Sequence, residues 1–305
     1  MVSSKRGATV CGLVAIAMWS MSIALIRSIT STFGPAGGAA LIYTLGTLLL
    51  VILLGKPRLR TASWFYLLTG GLLFVSYDVS MSLALGYAHS DTQAIEVSVV
   101  NYLWPCLTVL LSIWMNGQRA RWMVVPGSML AIFGILWVVA GDGLSFGSLV
   151  DSVSSNPVAF GLALVCALSF SLYCNVTRRY AGAGNQVVFF FMLSTCALWG
   201  KYIISDEQLP GFTVVSSLEL LVAALAVAGG YALWNIGLMR GHLTLLATAS
   251  YFAPVLSSAF ATVWLGAMLS AQFWQGAILV TVGSLLCWHA TREPAVPAES
   301  RSPRN

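Results

Sequence analysis

GHLTLLATASYFAPVLSSAFATVWLGAMLSAQFWQGAILVTVGSLLCWHAT, residues 241–291, contains no Asp, Glu, Lys or Arg. Drawn out as one helix at 1.5 Å per residue, it would run about 77 Å. The hydrocarbon core of a bilayer is only about 30 Å thick. The segment is too apolar for water and too long for one crossing, so it must fold back and cross twice. Helices are predicted over 244–267 and 272–290.

Eight more windows without a formal charge precede it, at 7–26, 28–55, 61–77, 97–118, 122–141, 152–177, 180–200 and 220–239. Each approaches or exceeds the roughly 20 apolar residues of a membrane span. Gly34-Pro35, Gly55-Lys56-Pro57, Asn116-Gly117, Asn156-Pro157, Gly182-Ala183-Gly184 and Leu209-Pro210-Gly211 punctuate them. The predicted spans are 7–29, 36–54, 63–87, 92–115, 122–140, 157–178, 186–204 and 217–239, followed by the two above. Of the 305 residues 58% are hydrophobic and 8% charged, against roughly 25% charged in soluble proteins. That composition excludes a soluble domain, a disordered chain and a disulfide-stapled scaffold. Lipid-facing strands would alternate apolar and polar residues, and these runs do not. The fold class is read as an all-α integral membrane protein with ten transmembrane helices.

Basic residues orient it. With the N-terminus inside, Lys5, Arg6, Lys56, Arg58, Arg60, Arg119, Arg121, Arg178, Arg179, Arg240, Arg292, Arg301 and Arg304 lie on cytoplasmic segments. Only Arg27 and Lys201 fall opposite, and Asp91, Asp142, Asp151, Asp206, Glu207 and Glu219 collect there. This is a strong positive-inside bias, with both termini expected in the cytoplasm. The net charge of +5 is therefore an orientation signal and not a nucleic-acid patch. Arg27, Lys201, Tyr202 and Trp122 read as interface anchors. The first span follows Lys5-Arg6 but lacks an Ala-x-Ala cleavage site, so it is expected to be retained. The six cysteines show no CxxC spacing, and neither disulfides nor a metal site is expected.

Sliding the chain against itself by 149 residues aligns Gly12 with Gly161, Ser20 with Ser169 and Ser22 with Ser171. The same offset aligns Tyr102-x-x-Pro105 with Tyr251-x-x-Pro254, Gly117 with Gly266, Gly127 with Gly276 and Gly134 with Gly283. Five helices per copy is an odd number, so the second copy enters the membrane inverted. The domain reading is a first repeat over 1–145, an inverted second repeat over 146–291 and a disordered cytoplasmic tail over 292–305. Such repeats give inward-open and outward-open states of similar energy, with a substrate site near the midplane. Pro105 and Pro254, at matched positions, are candidate kinks or gates.

Charge inside a span is costly and marks function. Asp78 lies nine residues before Tyr87, about 14 Å deep along a helix. Glu96 sits only about 7 Å below the outer surface; it is a candidate ammonium partner beside Asp78, with pairing to a helix N-terminus as the alternative role. Asn101 and Trp104 share a helical face with Val97 and Thr108. Trp19, Tyr77, Trp234 and Tyr251 are candidate lining, as are Tyr43, Phe170, Tyr173 and Tyr231. A carboxylate among aromatic faces suits an ammonium group, while Asn101 and helix termini could hold a carboxylate. Without a mid-membrane Lys or Arg, a zwitterion or cation is favoured over an anion. An enzyme is not expected: an aspartyl protease needs a partner for Asp78, and Asp142 lies at a span end.

Ala94-Ile95-Glu96-Val97-Ser98-Val99-Val100-Asn101-Tyr102-Leu103-Trp104-Pro105 closely resembles a motif of the YddG-type aromatic amino acid exporters, in the drug/metabolite transporter superfamily. So do the stretches Ser250-Tyr251-Phe252-Ala253-Pro254-Val255-Leu256-Ser257-Ser258-Ala259 and Phe273-Trp274-Gln275-Gly276-Ala277. The likeness runs from Gly12 to Trp288. It implies ten helices as a 5+5 inverted repeat, a bacterial inner-membrane location and export of amino acids such as Phe, Tyr and Trp, with Thr and Met as further substrates. It also implies a place on the translocation route for Glu96, Asn101, Tyr102 and Trp104. The expectation is a monomeric amino acid exporter working by alternating access without a cofactor, in contact with membrane lipid and with no nucleic acid. A superfamily exporter of cationic drugs or other metabolites is the alternative.

Overall fold

The computed structural model describes residues 4–57, 59–117, 121–140, 146–180, 186–241, 246 and 249–291. Its regular elements among the described residues are all helical. In chain order they are α1 (Lys5–Phe33), α2 (Pro35–Leu54), α3 (Trp64–Tyr87), α4 (Asp91–Asn101), α5 (Trp104–Asn116), α6 (Val124–Ala140) and α7 (Phe146–Ser155). These are followed by α8 (Pro157–Tyr180), α9 (Val187–Ile203), α10 (Val214–Ala224), α11 (Gly230–Arg240), α12 (Ala253–Leu265) and α13 (Ala271–Thr291). Seven helical stretches are long and apolar enough to cross a membrane; Val124–Ala140, Val187–Ile203 and Ala253–Leu265 are shorter apolar helices. The start of the ninth predicted span and the tail at 292–305 lie outside the described residues, as do Arg58, Arg119 and Asp142.

Helices lie along the predicted spans where these are described, with informative differences. The fourth is not one kinked helix but two, α4 and α5, parted at Tyr102-Leu103. The chain breaks again at Tyr251-Phe252 before α12. In both places proline is the second residue of the following helix, where its missing N–H costs nothing. The eighth span is interrupted by a π-helical segment, Leu225–Gly229. Helix α7 was not anticipated; its Phe146, Leu149, Val150 and Val153 recur at the i, i+3, i+4, i+7 spacing of a one-sided apolar helix.

Helix α6 packs along α13, α3 along α8, α1 along α11 and α2 along α9. The α6–α13 seam brings backbone against backbone. A Cβ on Gly134 would stand 2.8 Å from the Gly276 carbonyl oxygen, and one on Gly276 would stand 2.7 Å from that of Gly134. Gly127 and Gly283 oppose each other in the same reciprocal way, at 3.0 and 2.6 Å. Small residues let helices approach this closely where lipid offers no hydrophobic drive. Helices α5 and α12 both end on a left-handed glycine, Gly117 with φ 63° and Gly266 with φ 67°. The largest core centres on Phe74, whose ring lies 5.5 Å from that of Phe190 and 5.2 Å from that of Tyr173. Leu48, Ile52, Trp114 and Val263 point outward, as lipid-facing residues do.

Polar clasps join the helix ends. Arg27 was read as an interface anchor, but it turns inward and is 8% exposed. Its Nε donates to Asp91 Oδ1 at 2.8 Å, and Nη1 donates to the carbonyls of Leu85 and Ala88 at 3.0 and 2.9 Å. One side chain of α1 thus caps the C-terminus of α3 and holds the start of α4. Ser28 donates to Glu219 on α10. Glu207 accepts from the backbone N–H groups of Ala36 and Gly37 at the N-terminus of α2, where the helix dipole favours a carboxylate.

Candidate functional site

Between α1, α3, α8, α11 and the Asn101–Trp104 break lies a cavity of about 220 Å³. The gap in α4–α5 opens toward it, and side chains bond carbonyls of α5 just beyond it. The carbonyl of Trp104 accepts from Thr108 Oγ1 at 2.6 Å and from Ser171 Oγ at 3.0 Å. Asn175 donates to the carbonyl of Thr108 at 3.1 Å. Irregular backbone at membrane depth is tolerated where it is buried in protein or lines a cavity. The Tyr102 hydroxyl reaches the Ala253 carbonyl at 3.4 Å, so the two breaks touch.

Asp78, midway along α3, is fully buried in the cavity wall. Its Oδ2 accepts from Ser194 Oγ of α9 at 2.7 Å. Its Oδ1 has no partner among the described residues. An open carboxylate valence in a low-dielectric site is costly unless something arrives to occupy it. Across the wall Asn101 ends α4, 4% exposed, and its Oδ1 accepts the Cys166 thiol at 3.2 Å. The thiol takes the amide's acceptor side and so fixes its orientation, which leaves the Nδ2 donors for the cavity.

Aromatic rings build the remaining walls. Trp19 meets Tyr231 edge-on at 5.1 Å and Trp234 at 5.3 Å. Tyr77 lies 4.5 Å from Phe170, which meets Trp104 edge-on at 5.0 Å. Gly230 makes room for the indole, since a Cβ there would stand 2.5 Å from Trp19 Nε1, and Gly229 does the same for Met18, whose Cε would stand 2.7 Å away. The π-helical turn that sets this register is a feature frequent at functional sites.

Of the residues expected from sequence, Trp19, Tyr77, Asp78, Asn101, Tyr102, Trp104 and Trp234 line this one cavity. Glu96 does not; it is half-buried on another face of α4, away from the lining. Tyr251 is also off the wall, its ring 6.4 Å from that of Trp288. Pro105 and Pro254 begin the helices after the two breaks. Sequence reasoning missed Met81, Ile23 and Ile26 of the lining, and it missed Ser194 and Cys166, which orient the polar groups. Nothing in their spacing marks these two, because their partners lie 116 and 65 residues away.

Comparison with known proteins bears on this cavity. Residues 7–140 match the EamA-like transporter family. The chain is 45% identical over 290 residues to the aromatic amino acid exporter YddG of Escherichia coli (strain K12), covering 95% of this chain and 99% of that one. It is 31% identical to the aromatic amino acid exporter YddG of Ancylobacter novellus, over 84% of this chain and 88% of the relative. A solved crystal structure 27% identical to it superposes with a TM-score of 0.66, covering 94% of this chain and 98% of the other. Together with the apolar helices, these relatives make it a multi-pass protein of the bacterial inner membrane, a transporter and not an enzyme. The chain belongs to the EamA-like transporter family, among the relatives of the aromatic amino acid exporter YddG.

Proposed function

We propose that the protein exports aromatic and other neutral amino acids from the cytoplasm by alternating access. One observation carries the reading: a single aromatic cavity presents Asp78 Oδ1, a carboxylate oxygen without a hydrogen-bond partner among the described residues, together with the amide of Asn101, whose Oδ1 is taken by Cys166. These are the complements of an amino acid's ammonium and carboxylate. The rings of Trp19, Tyr77, Trp104 and Trp234 suit an aromatic side chain and add cation–π attraction for the ammonium. Tyr102 closes the wall beside Asn101. Phe, Tyr and Trp are the first substrates in this reading, with Thr and Met accepted more weakly; the transporter acts as a monomer.

The architecture belongs to the same reading: ten spans in two inverted five-helix repeats, 1–145 and 146–291, with both termini cytoplasmic. Support comes from the α6–α13 seam. The offset of 149 residues equates Gly127 with Gly276 and Gly134 with Gly283, yet Gly127 touches Gly283 and Gly134 touches Gly276. That exchange of partners is what a two-fold axis through the seam produces. The left-handed caps at Gly117 and Gly266 are related by the same offset. The breaks before Pro105 and Pro254 are the joints at which each half would bend.

Purified protein in proteoliposomes preloaded with unlabelled Phe tests the reading. Labelled Phe should accumulate transiently by counterflow, and excess Tyr or Trp should block it. No flux from a monodisperse, folded preparation would refute amino acid export. Repeating the assay across an imposed pH gradient separates coupled from facilitated transport.

A further inference from the structure

We infer that the same cavity carries a second substrate class: aromatic monoamines, in which a primary ammonium sits on a short chain from the ring and there is no carboxylate. The inference rests on this cavity being the transport site. Its basis is charge. Asp78 is the one acidic or basic side chain among the described residues lining the cavity. Its Oδ2 accepts from Ser194, its Oδ1 has no hydrogen-bond partner among the described residues, and the Tyr43 hydroxyl stands beside the carboxyl. No Lys or Arg among the described residues lines the cavity to offset it. Of the Lys and Arg residues in the helices named above, Arg27 is committed to Asp91 and two carbonyls, while Lys5, Arg6, Arg178, Arg179, Lys201 and Arg240 stand in the first or last turn of their helices.

A zwitterion brings an ammonium that satisfies Asp78, but also a carboxylate that finds only neutral donors such as Asn101 Nδ2. The occupied site then keeps one unit of negative charge. A monoammonium ion leaves the occupied site neutral, and buried charge is costly unless paired. The aromatic walls serve both classes equally, since Trp19, Trp104, Phe170 and Trp234 meet the ring and not the carboxylate. Removing the carboxylate therefore forfeits the Asn101 contact but relieves the charge imbalance. Monoamines should bind at least as well as the parent amino acids.

The probes are labelled phenethylamine and benzyltrimethylammonium, the second being permanently charged and so unable to leak through lipid as a neutral base. Counterflow of each is measured in proteoliposomes beside that of Phe, for wild type and Asp78→Asn. The expected result is saturable counterflow of both cations and full mutual inhibition with Phe. In Asp78→Asn, cation flux should fall at least tenfold further than Phe flux, because the zwitterion loses its ion pair but also its surplus charge. Phe counterflow without cation counterflow or inhibition overturns the inference and leaves amino acid export standing. Loss of all fluxes in folded wild type overturns both. Cation flux undiminished in Asp78→Asn removes the charge rationale. If Asp78→Asn does not fold, mutual inhibition in wild type decides the question alone.

Discussion

Replacing Gly134 with alanine tests whether the α6–α13 seam is as tight as its backbone contacts require. The added carbon would stand 2.8 Å from the Gly276 carbonyl oxygen, 2.8 Å from the Val280 nitrogen and 2.9 Å from Leu279 Cβ. Comfortable carbon contacts are about 3.5–4.0 Å, so the helices must part by roughly 1 Å or bend. Two of the three obstructing atoms are backbone and cannot rotate away. Overpacking costs about 1–3 kcal/mol, and this site belongs at the upper end, about 2–3 kcal/mol. For chains near this size each kcal/mol moves the midpoint by about 2–4 °C. The apparent Tm should therefore drop by about 4–12 °C. Gly161→Ala is the control: it lies inside α8 with nothing within 4 Å of the new carbon. There alanine relieves the entropy cost of a helical glycine, worth about 0.5–1 kcal/mol, and Tm should hold or rise. Both variants are read by size-exclusion thermostability in detergent and again in nanodiscs. Equal midpoints for Gly134→Ala and Gly161→Ala would refute the reasoning, because the seam would then have slack that its contacts deny.

Cys166→Ala should raise the half-saturation concentration for Phe several-fold while leaving that for phenethylamine unchanged, since only the amino acid uses the Asn101 amide; Cys166→Ser, which keeps a donor, should restore it. Arg27→Ala should cost about 1.5–3 kcal/mol in thermostability, the range for charge-assisted hydrogen bonds, because two carbonyls lose their donor. Asp91→Asn should cost under about 1 kcal/mol, its side chain being 43% exposed; the reverse order would assign the clasp to the ion pair and not to helix capping. Glu207→Gln should lower Tm by a few degrees through weaker pairing with the α2 N-terminus, about 0.3–1 kcal/mol.

Hydropathy makes the spans legible because lipid imposes length and polarity on each crossing independently. The break at Tyr102-Leu103 was legible only as a proline kink. Whether the chain bends or opens depends on what packs around it, and Ser171 and Asn175, which bond carbonyls in the first turns of α5, lie on another helix. Asp78 announced itself as a charge in an apolar run. Glu96 did so too, but it sits five residues before Asn101, about 140° round the helix, and so faces elsewhere. Tyr251 occupies the place of Tyr102 in the repeat, yet its ring lies toward Trp288. Backbone punctuation survives duplication better than side-chain direction. Helix α7 was missed because its apolar spacing is only ten residues long and lies between two much stronger signals.

The Arg27 clasp has a consequence for biogenesis. Its partner Asp91 is 64 residues further along the chain. At a synthesis rate of roughly 5–20 residues per second, Asp91 follows Arg27 by about 3–13 s. During that interval α1 is made and α3 is not, so the guanidinium must borrow water or lipid phosphate as its counterpart. Its place in the last two turns of α1, within reach of the interface, makes that loan possible. The arrival of the fourth span then withdraws Arg27 from the headgroups into protein. Insertion of the first four helices thereby becomes a closing sequence, in which the last to enter locks the first in place.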